Sequence, residues 1–118
     1  MRHFAVFFLL MTVGLASLDP ADLQAQSIQA VYSSEAENVF SDGLTAYRQG
    51  DFEAARSAFV RLLEYAVNQH SSAGQLLLGK SYFRLGSYED ALAAARGLQR
   101  KYADSRYVAE ARLLAGDS

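Results

Sequence analysis

Histidine and serine are the side chains of this chain whose types suit catalysis. His70 is the one histidine beyond the N-terminal segment, and the chain has no cysteine. A catalytic or metal-binding histidine needs a second histidine, a cysteine or a carboxylate at ligand spacing, and none lies near His70 in sequence. The serines have no His/Asp set that would make one of them a nucleophile. We therefore interpret His70 as a solvated residue of a connecting segment.

Charged side chains recur at a fixed interval instead of converging on one site. Glu53 and Glu89 are 36 residues apart, and so are Arg48 and Arg84. Each glutamate is expected in the first turn of a helix and each arginine in a last turn, where these charges complement the helix dipole. Helix ends thus account for the repeated charges, and we predict no enzyme activity, no metal site and no cofactor.

The surrounding residues repeat at the same interval. Residues 46–55 return as residues 82–91, and two aromatic positions exchange one ring for another. The positions identical at an offset of 36 are Gly43/Gly79, Arg48/Arg84, Gly50/Gly86, Glu53/Glu89, Ala55/Ala91, Ala58/Ala94 and Leu62/Leu98. A period of this size is typical of stacked repeats, in which each unit buries its apolar face against its neighbour.

Apolar residues spaced three and four apart predict five helices and no strand, so the expected fold class is all-α. Glycine, serine and aspartate mark the predicted helix ends as left-handed stops and side-chain caps. The predicted helices run from a Ser34/Glu37 capping box to Gly50, from Asp51 to about Ala66, from a Ser72/Gln75 box to Gly86, from Ser87/Asp90 to about Lys101, and onward from Asp104 or Ser105.

Small and aromatic residues predict how the helices pack. We expect Gly43 to face Ala55 and Gly79 to face Ala91, because a larger side chain would force the helix axes apart. The aromatic residues are then expected to fill the wedges between units, with Tyr47, Phe52 and Phe59 in the first and Tyr82, Phe83 and Tyr88 in the second. Ala95 stands where the first unit has Phe59, so the second wedge is either shallower or filled from a neighbour.

The N-terminal segment predicts export. Met1-Arg2-His3 is a basic start, residues 4–18 are uncharged, and Leu23-Gln24-Ala25 places a small residue at a cleavage position, which is the pattern of a secretory signal peptide. The uncharged run is shorter than the roughly 20 residues that cross a bilayer. We therefore expect cleavage after Ala25 and a periplasmic or secreted product, with membrane attachment only if the segment stays uncleaved.

The charge pattern bears on the partner class. The chain has 11 basic and 13 acidic residues, and the two signs are interspersed. A nucleic-acid partner requires a concentrated basic face, so we predict that the chain does not bind nucleic acid.

The repeated residues resemble the tetratricopeptide repeat. The matching positions are Gly43, Tyr47, Gly50-Asp51-Phe52, Ala55 and Phe59 in the first unit, and Leu78-Gly79, Tyr82, Gly86, Tyr88 and Ala91 in the second. The resemblance implies an all-α, right-handed solenoid of two helical hairpins plus a fifth, half-repeat helix, which binds a protein or peptide. Within the family, residues 101–107 followed by Ala109-Glu110-Ala111 resemble bacterial envelope proteins such as the Tol-Pal coordinator and the outer-membrane assembly lipoprotein, which implies a scaffold in envelope assembly or maintenance.

The resemblance also implies a binding surface, and together with the N-terminal pattern it gives a domain organisation. First helices in such folds line a concave face, and the polar residues implied there are Ser41, Thr45, Arg48, Gln75 and Arg84. The expected division is a signal peptide (1–25), a flexible lead-in (26–34) and a repeat domain (35–118), with repeat 1 at 35–70, repeat 2 at 71–104 and a partial repeat or cap at 105–118.

The C-terminal residues leave alternatives open. Leu113-Leu114-Ala115-Gly116 follows the pattern of residues 76–79, so a third unit begins and stops half-built. Either the fifth helix is a cap, or the chain is the N-terminal arm of a larger envelope protein whose activity lies in a C-terminal domain. A further alternative is self-association through the open C-terminal end.

Overall fold

The computed structural model describes residues 30–116, so the predicted signal peptide lies outside the described residues. Residues 30–116 form five helices: α1 (Ser34–Arg48), α2 (Phe52–Glu64), α3 (Ser71–Arg84), α4 (Tyr88–Lys101) and α5 (Val108–Leu114). Their only β contact is an isolated bridge between Val31 and Asn68. The prediction of an all-α fold with five helices is confirmed.

Each helix packs against the next along the chain. The α1/α2 and α3/α4 pairs form two helical hairpins, α2 packs on α3 to join them, and α5 packs on α4 and α3. This arrangement, a stack of hairpins with a fifth helix, is that of the predicted solenoid. Residues 31–33 lie beside the α2–α3 connector, where the Val31 backbone N–H donates to the Val67 carbonyl over 2.8 Å.

The corners of the two hairpins lie at the glycines where the sequence predicts them. Gly50 and Gly86 both have φ of +79°, a left-handed conformation that glycine adopts without steric cost. Asp51 caps α2 as predicted, because its carboxylate accepts from the Ala54 backbone N–H over 3.1 Å. The 36-residue repeat therefore reproduces the hairpin corner in both units.

Three of the predicted helix starts are wrong. The cap of α1 is Ser33 and not Ser34, since the Ser33 hydroxyl accepts from the Ala36 backbone N–H over 3.1 Å. The start of α3 has no side-chain cap, so the Ser72/Gln75 box does not form. The start of α5 lies beyond Ser105, whose hydroxyl accepts from the Tyr107 backbone N–H in the preceding turn. Ser87 holds the cap position of α4 without a side-chain bond.

Two apolar clusters lie along the stack. The first is built from Ala36, Ala55, Phe59, Leu62 and Leu78, and the second from Leu76, Ala95, Leu98 and Ala111. Because α3 contributes to both clusters, it ties the two hairpins together. Tyr82 packs on the first cluster, whereas Phe83 and Tyr88 remain 48% and 63% exposed, so the predicted second aromatic wedge does not form.

The glycines of the two hairpins face different neighbours. A Cβ atom on Gly43 would lie 2.7 Å from the Phe59 ring, so the nearest neighbour of Gly43 is Phe59 and not the predicted Ala55. A Cβ atom on Gly79 would lie 3.6 Å from the Ala91 carbonyl oxygen and 2.8 Å from a Leu114 methyl carbon. The space left by Ala95 is thus filled by a neighbouring helix, the second of the two predicted outcomes.

Candidate functional site

The residues predicted for one concave surface lie in three different places. Ser41, Thr45 and Arg48 are exposed on one face of α1, as their spacing of four and three requires. Gln75 is half-buried, and its Nε2 donates to the Ala94 carbonyl of α4 over 3.0 Å. The Arg84 guanidinium carbon lies 4.5 Å from the centre of the Phe52 ring. Gln75 and Arg84 therefore hold helices together, and partner binding by the five residues stays a prediction.

The exposed face of α1 has an equivalent in the second unit, on α3. Thirty-six residues further on, the equivalents of Ser41, Thr45 and Arg48 are Leu77, Ser81 and Arg84. Leu77 packs against the first cluster, Ser81 is fully buried, and Arg84 lies on a ring of the first hairpin. This face of α3 thus packs on the preceding unit. We call the corresponding exposed face of α1 (Ser41, Thr45 and Arg48) the N-terminal end face.

A cleft of about 520 Å³ lies between the start of α3, the middle of α1 and the segment before α5. Its lining residues are Phe40, Gln69, His70, Ser72, Ala73, Ser105, Arg106 and Tyr107. One wall is aromatic, because the rings of Phe40 and His70 stack with their centres 4.1 Å apart and their planes 2° from parallel. We call this site the α1–α3 cleft.

His70 is fixed in place, and the prediction that it is a solvated residue of the connector is wrong. Its side chain is 22% exposed, and Nε2 lies 2.9 Å from a carboxylate oxygen of Glu37. Gln69 Nε2 donates to the same Glu37 oxygen over 3.1 Å and to the Ser33 carbonyl over 3.0 Å. The network fastens the first turn of α1 to the α2–α3 connector and orients the His70 ring along the cleft.

The carboxylate of Glu37 is held in its charged form. Hydrogen bonds from Gln69 and then from His70 keep the pKa of Glu37 below its ordinary value, against a smaller opposing effect of burial. Its negative charge is thereby satisfied within the network. Sequence reasoning missed this contact, because Glu37 and His70 are 33 residues apart and only the hairpin stack brings them together.

Arg106 adds a cation to the lining of the cleft. Its guanidinium carbon lies 5.1 Å from the centre of the Tyr107 ring, and its Nη2 donates to the Tyr107 hydroxyl over 2.9 Å. Arg106 forms no ion pair with another residue between 30 and 116, so its charge is available to a ligand. The sequence places Arg106 between a serine and a tyrosine in a turn, which indicates exposure but not a neighbouring cleft.

The described part of the chain contains neither a cluster of metal-ligating side chains nor a membrane-spanning helix. Within residues 30–116, no three histidine, cysteine, aspartate or glutamate side chains lie close enough to hold a metal ion. None of the five helices described here has the length and apolar character of a transmembrane span. What the α1–α3 cleft offers a ligand is an aromatic wall, hydroxyl groups and one cation.

Comparison with known proteins identifies the repeat. The family profile described as tetratricopeptide repeat matches residues 42–106, more than half of the 118-residue chain. No curated protein and no solved structure matches the chain. The matched range begins within α1 and continues to the turn before α5, so it includes most of both hairpins. Repeats of this family are non-catalytic and generally mediate contacts between proteins. The chain belongs to the tetratricopeptide repeat family.

Proposed function

We propose that the chain is an exported helical-repeat module that binds another protein and acts as a scaffold in assembly or maintenance of the bacterial cell envelope. Protein binding is the general activity of the family. Export is supported by the basic start, uncharged run and small-residue cleavage position in residues 1–25, which is the pattern of a secretory signal peptide. The envelope role is supported by the resemblance of residues 101–107 to envelope repeat proteins.

The α1–α3 cleft is the observation that carries the proposal. Its volume of about 520 Å³ lies in the range of ligand pockets, and its shape is set by residues that are already fastened to one another. The stacked rings of Phe40 and His70 suit an apolar side chain of the partner. The Arg106 guanidinium suits a carboxylate, with which arginine forms strong paired hydrogen bonds. We infer that the partner presents an acidic residue beside an apolar one.

Site-specific photo-crosslinking tests which surface the partner contacts. A benzophenone amino acid is placed at Ser72 in the cleft, at Thr45 on the N-terminal end face, and at Ala93, an exposed residue of α4. We expect a covalent adduct with one protein from Ser72 and none from Ala93. An adduct from Thr45 alone would move the site to the N-terminal end face, and equal labelling from all three positions would contradict a specific site.

Charge reversal gives a second readout of the same site. Arg106→Glu is expected to reduce the Ser72 adduct at least severalfold, because the partner's carboxylate is then repelled. Arg100→Glu is the matched control, since Arg100 is an exposed arginine of α4 that does not line the cleft. An adduct unchanged by Arg106→Glu removes Arg106 from the proposal.

Export is tested by the position and the N-terminus of the protein in the cell. We expect the chain in the periplasmic or secreted fraction, with Gln26 as its first residue. Recovery of the chain in the cytoplasm with Met1 intact would contradict export while leaving protein binding untouched.

A further inference from the structure

We propose a second interaction surface, in which the rings of Phe83 and Tyr88 bind an arginine side chain of another protein. The two residues lie at the corner between α3 and α4, with their ring centres 5.2 Å apart and their planes at 66°. They are 48% and 63% exposed, respectively. We call this pair the aromatic corner.

The first hairpin shows what such a corner binds. Tyr47 and Phe52 are the equivalents of Phe83 and Tyr88, and their rings meet in the same edge-to-face way, 5.3 Å apart and at 76°. Both are partly buried, and the guanidinium carbon of Arg84 lies 4.5 Å from the centre of the Phe52 ring. A cation over an aromatic face is attracted by the negative charge of the ring face. Within this chain, then, an arginine covers one of the two corners.

The charges around the second corner favour a cation more strongly than those around the first. In the first hairpin Glu53 is neutralised by Arg56, at 2.8 Å. In the second hairpin Glu89 follows the aromatic residue, and Asp90 and Leu92 replace Ala54 and Arg56. Because Ser87 also replaces Asp51, the second corner has as many carboxylates as the first but one arginine fewer.

Both carboxylates of the second corner are available to a ligand. Glu89 and Asp90 are exposed, and neither forms an ion pair with another residue between 30 and 116. A planar guanidinium can stack on a ring while its N–H groups reach a carboxylate. Arginine thus fits the aromatic corner better than lysine or an apolar side chain.

The occupant is another protein and not a second copy of this chain. Arg48 is the equivalent of Arg84 on the N-terminal end face, so stacking of a second copy would bring its Arg48 toward Tyr88. Helix α5, however, already packs on α4, as α3 packs on α2, and its Leu114 also lies against Gly79 of α3. A second copy would have to displace α5, whereas a single arginine side chain needs only the open corner.

The aromatic corner is separate from the α1–α3 cleft. Ala73 lines the cleft near the start of α3, and Phe83 lies ten residues further along the same helix, about 15 Å away at the helical rise. The proposal therefore does not rest on the cleft. A negative result at one site leaves the other unaffected, because the Ser72 adduct reports the cleft alone.

An NMR titration of the ¹⁵N-labelled protein tests the proposal. The probe is an alanine-based helical peptide with two arginines one turn apart, and the control peptide carries glutamine in both places. We expect shifts of the backbone amides of Phe83, Tyr88, Glu89 and Asp90 with the arginine peptide only. Tyr88→Ser is expected to weaken the affinity roughly threefold to tenfold, as loss of a cation–π contact predicts.

Two further variants make the test specific. The double variant Glu89→Gln/Asp90→Asn is expected to weaken binding and to reduce its dependence on salt, because surface charges are screened. Tyr32→Ser is the control, since Tyr32 is 76% exposed and lies before α1. Equal affinities of the two peptides, an unchanged affinity in Tyr88→Ser, or shifts confined to other residues would each overturn the proposal. So would a concentration-dependent mass that Arg48→Glu abolishes, which would assign the corner to a second copy.

Discussion

The two hairpins share a sequence pattern, but the space beside their equivalent glycines is filled by side chains from different helices. In the first, the Phe59 ring of α2 lies against Gly43 of α1, within one hairpin. In the second, Ala95 takes the place of Phe59, and Leu114 of α5 reaches the equivalent glycine. The space beside the glycine is thus filled from within the hairpin in the first unit and by the helix that follows in the second. Substitutions at equivalent positions should therefore have unequal effects.

The largest expected effect is the loss of the Phe59 ring. Phe59 is fully buried in the first cluster, and Phe59→Ala should lower the free energy of unfolding by about 3–5 kcal/mol, because a large cavity remains. Urea titration followed by circular dichroism measures the change. Tyr65→Ala is the control, since Tyr65 is 41% exposed.

Leu114→Ala makes the matching change in the second hairpin. Leu114 is half-buried, so we expect a cost of about 1–2 kcal/mol, below the range for fully buried leucines. Leu113→Ala, at a residue 73% exposed, should change stability by less than about 0.5 kcal/mol. If Leu114→Ala lowers the free energy of unfolding as much as Phe59→Ala does, the expected difference between the two hairpins is contradicted.

Replacing Gly43 or Gly79 by alanine should give the next largest difference in stability between the two hairpins. Gly43→Ala should destabilise by about 1–3 kcal/mol, because the new carbon would collide with a fully buried ring. In Gly79→Ala the one close contact is with a methyl carbon of Leu114, which can turn aside, while Ala94 and the Ala91 carbonyl lie at ordinary contact distances. The effect of Gly79→Ala should be within about 1 kcal/mol of zero, since alanine also favours the helix by about that amount. Differential scanning calorimetry of both variants checks the order, and equal losses would contradict it.

The helix caps give a smaller difference. Asp51→Ala removes a side-chain bond to the start of α2 and should cost about 1 kcal/mol. Ser87 holds the equivalent position in α4 without such a bond, so Ser87→Ala should cost less than about 0.5 kcal/mol. Urea titrations run in parallel compare them, and a larger loss from Ser87→Ala would show that the two corners are capped otherwise.

The smallest expected effect is a pH dependence found in the first hairpin alone. Hydrogen bonds lower the pKa of Glu37 in the folded chain from its ordinary value near 4.5, and Ala73 stands at the equivalent position of the second hairpin. The stabilisation is therefore present above the ordinary value and is lost as the pH falls through the lower, folded value. Glu37→Gln should remove the part of the stability loss at low pH that comes from this carboxylate.

The measurement is the free energy of unfolding from about pH 7 down to about pH 3, a range in which protonation of Glu37 is expected to lower stability. Glu64→Gln serves as the comparison, because Glu64 is exposed at the end of α2. If the wild type and Glu37→Gln lose stability in parallel, the network does not contribute in the way described.

These contrasts also show how far the sequence alone can reach. The 36-residue repeat and the spacing of apolar residues predicted five helices in two hairpins, because that periodicity belongs to the chain itself. The cap of α1 was misassigned by one residue, since Ser33 and Ser34 are adjacent and equally suited to the position. Only the backbone direction at the helix start decides between them.

The candidate site was harder to predict, because it depends on contacts between units. The pairing of Glu37 with His70 arises where the α2–α3 connector returns to the start of α1. The concave-face prediction gives Arg84 a binding role alone, whereas its guanidinium also lies over the Phe52 ring of the preceding hairpin. Helix rotation is set by packing with the neighbouring helix, which a single sequence does not record.

The hydrogen bond from Gln75 to the Ala94 carbonyl has a consequence for building longer arrays from this chain. A Cβ atom at Gly97 would lie 3.0 Å from the Gln75 amide nitrogen, so a larger residue at this position would push the amide away from the carbonyl that it binds. The first hairpin carries Val39 and Arg61 at the corresponding places. A designer who grafts single residues from one hairpin into its twin would break this matched pair, whereas moving both partners as a set preserves it.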